Sequence, residues 1–436
     1  MDYILGTILL FIFCLFVSKY EYSKYSTYLT PFGVLAWPYT IIVIMINFGG
    51  VHFGFFPVSF TSIIFMIITF TFFLIGGNSL LFFIMKDGEQ KIFSNQENKF
   101  SFLSEKYYPF FIAIAGISLI AGFYHLFNCI REFGITNIWK SDFKSAFGTG
   151  PLSHVMILSR PAFIFLCADY LFKKRKSVLL ILILLLVIVF ARQVKYHIFG
   201  MILGGYFFCI LQCQLKFSFK KIMIYSAIIF LLFSTTYFIG FFAVSKEYAL
   251  SKQTHGWLLN LFFAYLFGGP IGFSEILKDS TYPIYSYKEI IAVPINIYKF
   301  LIGDESLVDI IIHNWIPISN RYDVFHSSNI FGMVGMLYMY LGPYITIIYM
   351  FCLGIMMYVL FYLAYKYKSL IGIQLVFSFF MCYLTVSFFD LYFNKLILYE
   401  ASIYMLLFPL LYIMFKYFID LRVSVNSTQQ IQNEEK

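Results

Sequence analysis

Apolar residues along the chain come in long blocks, and the charges fall in the connectors between them. A membrane-crossing helix needs about 20 predominantly apolar residues. On that measure the blocks predict about eleven spans, at 3–18, 31–49, 58–85, 108–130, 152–172, 177–191, 196–213, 222–244, 334–364, 369–389 and 397–417. The sixth and seventh read as a helical hairpin closed by "ARQVKYH". The third and ninth are long enough to tilt or break, with "GGN" at 76–78 and "LGP" at 341–343 as the break points. No internal repeat is visible.

One stretch interrupts the pattern. Residues 246–333 leave the bilayer and gather charges, histidines and prolines between two hydrophobic blocks. The expected organisation is therefore spans 1–8 within residues 1–245, a large extracytoplasmic loop at 246–333, spans 9–11 within 334–417, and a short disordered cytoplasmic tail at 418–436. In the loop, "GWLLNLFFAYLFGGPIGFSEIL" is interrupted by Gly268-Gly269-Pro270 and reads as an interfacial or re-entrant helix, a turn and a second short helix. "YKEIIAVPINIYKFLIG" and "ESLVDIIIHNWIP" have mixed helical spacing and would lie on the membrane as part of the same roof. A mostly membrane-embedded chain with one large polar excursion is expected to do its work there.

Composition agrees with the span pattern. The 436 residues are 61% hydrophobic and only 12% charged, with mean hydropathy +0.81, where soluble domains carry about a quarter charged residues. The expected fold class is an all-α polytopic membrane protein. The aromatic share of 22% exceeds what two interfacial belts need, so many rings must face lipid or neighbouring helices. The seven cysteines lie in apolar spans, Cys129 at the very end of one, and no disulfide framework or thiolate metal cluster is suggested. The first block lacks a basic leader and a small-residue cleavage site, and reads as a retained span.

Charge fixes the expected orientation. Eighteen basic residues fall on one set of connectors and tails, among them Lys19, Lys24, Lys86, Lys106, the "KKRK" at 173–176, Lys366 and Lys416. The short connectors of the opposite set carry six: Arg131, Lys140, Lys144, Arg192, Lys195 and Lys395. The positive-inside rule puts the first set in the cytoplasm and the large loop outside. The net charge of +9 is thereby spent on topology, and no basic domain is left for nucleic acid.

With that topology all seven histidines (His52, His125, His154, His197, His255, His313 and His326) fall on outer loops or in the outer part of a span. Arg160 and Glu400 are ionisable groups at membrane depth, which are costly unless they face a cavity or a partner. The strongest local signal is "RYDVFHSSNIFGMVG" at 321–335, which sets Arg321, Asp323, His326 and Asn329 directly before a Gly-x-x-Gly helix start. His326 has the pKa range for proton abstraction near neutrality; the alternative is an interfacial histidine satisfied by backbone or water. Arg160 and Arg192 suit a phosphate or pyrophosphate, because a guanidinium stays charged and presents a planar fork. The competing roles are a snorkelling anchor for Arg192 and a structural pair with Glu400 for Arg160. Asp169 reads as a helical ion pair with Lys173.

There is no Asp-x-Asp, no His-Glu-x-x-His, no P-loop and no dinucleotide fingerprint. A metal-centred glycosyltransferase and an ATP-driven pump are disfavoured, and no cofactor is expected. Four features, "GTGPLSHVMILSRPAFIF", "ARQVKYHIFG", "AYLFGGPIGFSEIL" and "HSSNIFGMVGMLYMYLGP", give the chain its family likeness. It resembles the Wzy-type O-antigen polymerases, the oligosaccharide repeat-unit polymerases, and more distantly the O-antigen ligases. The resemblance runs over about residues 100–365 and implies a GT-C-like, metal-independent transferase in the bacterial inner membrane. Such an enzyme moves a glycan from an undecaprenyl-pyrophosphate carrier onto a lipid-linked repeat unit on the outer leaflet, alongside a chain-length regulator and a flippase. It implies His326 as base, Arg160, Arg192 and Arg321 on the leaving pyrophosphate, and Lys195 and His197 supporting the same anion, with Asn329 and Asp323 beside the base. Only one arginine lies in the large loop, so a mechanism needing several there does not carry over. A ligase shares these residues, and a lipid-linked oligosaccharide flippase is the non-enzymatic rival.

Overall fold

The computed structural model describes the chain apart from residues 1, 85–99, 139, 193, 213–214, 216–234, 236–251, 280, 283, 305, 307, 309–314, 321–325 and 435–436. It is helical almost throughout: α1 (Asp2–Tyr25), α2 (Pro31–Phe48), α3 (Phe60–Ile84), α4 (Phe100–Phe133), α5 (Ser141–Gly148), α6 (Gly150–Met156), α7 (Ser159–Lys173), α8 (Lys176–Ala191), α9 (Lys195–Leu211), α10 (Lys252–Lys278), α11 (Ala292–Leu301), α12 (Gly332–Lys366), α13 (Ile371–Thr385) and α14 (Leu396–Glu434). A two-stranded antiparallel pair, β1 (Ile316–Pro317) with β2 (Ser327–Ser328), interrupts them. Among the described residues seven helices are long and apolar enough to cross a membrane: α1, α2, α3, α4, the α6–α7 pair, α12 and α14. This is an all-α, multi-pass membrane protein. The expected spans at 177–191, 196–213 and 369–389 are helices of 16, 17 and 15 residues, short of the usual crossing length. The expected span at 222–244 lies outside the described residues.

The closest packing joins α3 and α12. A Cβ on Gly76 would fall 2.1 Å from the Phe351 carbonyl oxygen, and one on Gly354 only 2.0 Å from that of Phe73. Glycine on each face lets the two backbones touch, the small-residue logic of packing in lipid. This corrects the expected break at "GGN": α3 runs unbroken through it, because its glycines serve approach rather than bending. Asn78 beside them accepts hydrogen bonds from Lys24 Nζ (2.7 Å) and the Tyr25 hydroxyl (2.9 Å). One turn earlier on α1, the buried Glu21 accepts from the Thr30 and Tyr358 hydroxyls. The break expected at "LGP" is present. Gly342 sits at φ 72°, ψ 179° inside α12, a conformation open to glycine.

The large loop differs from its expected form. Gly268-Gly269-Pro270 does not end a helix; α10 continues through it for 27 residues and packs on α2, α3 and α12. A Cβ on Gly269 would stand 1.9 Å from the Phe388 carbonyl oxygen, so here too the glycine is spent on contact. The β1–β2 pair is tied to the turn after α2, with Phe56 N–H donating to the Ile318 carbonyl (2.9 Å) and Asn320 N–H to that of Gly54 (2.9 Å). The segment 386–391 then clamps the start of α12. The Ser387 carbonyl accepts from Met333 N–H (2.7 Å) and from the Tyr39 hydroxyl (2.7 Å). At the other end of the chain α14 extends to Glu434; no glycine or proline follows Pro409 to stop it.

Candidate functional site

Three elements bring the cationic residues together. Pro161 has no N–H, and the helix breaks just before it at Ile157–Leu158. Arg160 N–H turns to the Ile157 carbonyl (3.1 Å), which leaves the Met156 carbonyl without its usual i+4 donor. The Arg160 side chain takes it, with Nη1 donating at 3.1 Å and a longer bond to Ser159 Oγ at 3.3 Å. Arg192 ends α8, and only two residues separate it from the start of α9. That tight turn delivers His197 one turn into α9. The third element is α13, which contributes Tyr383; a Cβ on Gly200 would meet the Tyr383 hydroxyl at 2.8 Å, so this glycine is what lets the tyrosine in.

The donors in this cluster exceed the acceptors. Arg160 is 1% exposed, yet its Nε and Nη2 have no hydrogen-bond partner. Arg192 donates Nη2 to the Gly148 carbonyl (2.9 Å), while its buried Nη1 has none. His197 Nδ1 and the Tyr383 hydroxyl, on residues 2% and 1% exposed, are likewise unpartnered. Among the described residues no carboxylate lies within ion-pair distance of either arginine. Glu400 attracts both charges from further off, but its oxygens are held by His154 Nδ1 (2.9 Å) and the Tyr404 hydroxyl (2.8 Å). The competing role for Arg160, a pair with Glu400, is thus not what forms; Glu400 bonds His154 instead.

Electrostatics makes the site hungry for an anion. The two guanidinium charges repel each other, and burial holds Arg192 below its ordinary pKa against the pull of Tyr196 and Glu400. A guanidinium nonetheless keeps its proton, so the cost of burial is relieved by a negatively charged occupant. Aromatic rings form one wall: Tyr196 lies 5.5 Å from Tyr392 and 6.5 Å from Tyr383, and Tyr383 lies 5.1 Å from Tyr392. Burial, with Asp390 adding to it, raises the Tyr392 hydroxyl well above its ordinary value and keeps it a neutral donor.

The other expected site residues divide between the start of α9 and the stretch ahead of α12. Lys195 opens α9 beside the cluster. His326 is exposed on the β1–β2 turn, where its carbonyl accepts from Ile318 N–H (2.6 Å); among the described residues no hydrogen bond links its ring to the arginines. Asn329 is half-buried just ahead of α12, and Arg321 and Asp323 lie outside the described residues. Asp169 does not pair with Lys173 but is fully buried and accepts from Ser104 Oγ (2.5 Å). The tyrosine wall went unrecognised in the sequence. Tyr196 at least stands inside "ARQVKYH", but Tyr383 sits in an apolar run with nothing to mark it. Among the described residues no three His, Cys, Asp or Glu side chains gather to hold a metal ion.

A family model described as a family of unknown function, DUF6337, matches residues 52–418. No curated protein and no solved structure matches the chain. The family match takes in Arg160, Arg192, His197, Tyr383 and His326 together, and the chain belongs to the DUF6337 family.

Proposed function

We propose that the protein is a metal-independent glycan transferase acting on a lipid-pyrophosphate donor at the outer leaflet of the bacterial inner membrane, in the manner of an O-antigen or repeat-unit polymerase. The observation that carries the reading is a buried guanidinium group, Arg160, beside a part-buried one, Arg192, both with unpartnered buried N–H donors and, among the described residues, no carboxylate within ion-pair distance. In this reading an acceptor hydroxyl attacks the anomeric carbon of the donor glycan. The carbon–oxygen bond to the pyrophosphate breaks, and the departing charge settles on Arg160 and Arg192. The neutral donors His197 and Tyr383 remain to hold further oxygens. The site would lie toward the GT-C type of arrangement, with the roof segments 252–331 over an outward-facing centre.

His326 is the proposed acceptor of the hydroxyl proton. It stands on the roof, and the 386–394 segment contacts both the roof, through the Phe389 ring stacked on Tyr265, and the arginine cluster, through Tyr392. A positioned base contributes about 10²–10⁴-fold. His326→Ala, assayed with purified protein, lipid-linked repeat units and excess chelator, should therefore leave products at single repeats while donor binding persists. Long chains from that variant would move the role to another group, such as Glu247, Glu275 or Glu400.

The orientation rests on the basic-residue bias of the connectors. A membrane-impermeant maleimide applied to intact cells should label Lys278→Cys above the parent protein and spare Lys174→Cys. Labelling of the second alone would invert the topology and remove the outward site.

A further inference from the structure

The helix α11 and the segment leading into it have the reverse of the pattern expected at a water-facing surface. The polar residues of α11 are engaged by Asp304, Ser306 and Val308, just after the helix, while Ala292 and Val293 are its buried residues. Asn296 donates to the Val308 carbonyl (3.1 Å) and accepts from its N–H (2.7 Å), while Lys299 lies 3.7 Å from Asp304 and bonds Ser306 Oγ at 3.0 Å. The apolar residues point outward: Tyr298, Phe300 and Leu301 are 63%, 79% and 75% exposed, with Ile297 and Ile302 beside them. Exposed aromatic and aliphatic side chains continue back along the chain through Ile291, Tyr287, Tyr285 and Ile284.

The same segment is fastened to a membrane-spanning helix below its end. Pro343 lacks the N–H that would bond the Met339 carbonyl four residues earlier. That carbonyl instead accepts from Ile284 N–H (2.9 Å) and Tyr285 N–H (3.1 Å). Met339 is seven residues into α12, about 10 Å along its axis. The Tyr285 ring packs at the Gly342 kink, where a Cβ would meet it at 3.2 Å. Next to the kink the exposed face of α12 is Tyr344, Ile345 and Ile348, on a helix long and apolar enough to cross the bilayer. The outward face of 284–302 is thus continuous with a lipid-facing surface.

We propose that residues 284–302 form an interfacial anchor, with α11 lying in the plane of the membrane and its Ile297–Tyr298–Phe300–Leu301 face sunk into the headgroup and acyl boundary of the leaflet beside α12. Amphipathic helices with Phe, Leu and Tyr on one face occupy this zone, and Tyr rings favour it. The occupant is the lipid bilayer itself. The anchor holds the roof at a fixed depth and does not depend on the transferase reading.

The test uses full-length protein in liposomes, with single tryptophans added at Phe300→Trp and Leu301→Trp and the fluorescence of the four native tryptophans subtracted from a parallel parent sample. Phosphatidylcholine brominated near the top of its acyl chains should quench most of the added emission at both positions, and aqueous iodide should quench little of it. Tryptophan at Lys288, an exposed position in the same segment, should show the opposite preference. Iodide quenching at 300 and 301 with no effect of brominated lipid would overturn the anchor. Both exchanged side chains are exposed, so neither variant depends on repacking the core.

Discussion

Arg160→Ala is expected to cut glycan transfer about 30- to 1,000-fold while leaving folded protein in the membrane at a modest cost in stability. The two halves of that result come from one fact. Among the described residues Arg160 is buried without a carboxylate partner, so its removal orphans no acid and relieves a repulsion with Arg192; the group it leaves short is the Met156 carbonyl, at about 1–3 kcal/mol. Breaking a buried ion pair would instead cost about 3–5 kcal/mol of stability. On the activity side, withdrawing a charge-assisted donor from a developing pyrophosphate costs about 2–4 kcal/mol, or about 30- to 1,000-fold. Arg192→Ala should behave alike, and Arg160→Lys should rescue poorly because an ammonium cannot present the fork. Thermal unfolding in detergent and the chain-length ladder from lipid-linked repeats read the two quantities separately. A steep loss of stability with full activity per folded molecule would make Arg160 a structural post and sink the anion site.

The second large effect is on stability alone. Gly354→Val puts branched carbon where a Cβ already stands 2.0 Å from the Phe73 carbonyl oxygen. Neither helix backbone can yield locally, so α3 and α12 must separate along their contact. Overpacking of this kind costs about 1–3 kcal/mol even where side chains can adjust, and here the obstacle is backbone. We expect the variant to lose most of its folded, monodisperse protein in detergent. Gly116→Ala is the control, since a Cβ there meets nothing within 4 Å, and helix propensity favours alanine. Equal melting temperatures for Gly354→Val and the parent would show that the crossing is not held by backbone contact.

Much of the helical framework was legible because burial in lipid demands uninterrupted apolar blocks. The helices at 2–25, 31–48, 60–84 and 332–366 coincide with such blocks. The kink at "LGP" was legible for a local reason, a glycine at positive φ followed by proline. "GGN" and "GGP" carry the same kind of residues and do not break their helices. What distinguishes them is the neighbour: Phe351 against Gly76, and Phe388 against Gly269. A single sequence cannot tell a glycine needed for its φ from one needed for its missing side chain.

The candidate site divides in the same way. The sequence by itself determined that Arg160, Arg192 and His197 would be placed at or near membrane depth, because the apolar blocks around them leave no other position. It also determined that the chain is a multi-pass, all-helical membrane protein. The tertiary structure alone decided which partners those cations have. It gave Glu400 to His154 and, among the described residues, left the guanidinium groups without a carboxylate at ion-pair distance. It also brought Tyr383 and Tyr392, almost 190 residues or more after Tyr196 in the chain, into one wall with it. Pairing of ionisable groups across helices depends on helix rotation and approach to within an ångström or two. Those are set by packing contacts such as Gly200 under Tyr383, which hydropathy does not encode.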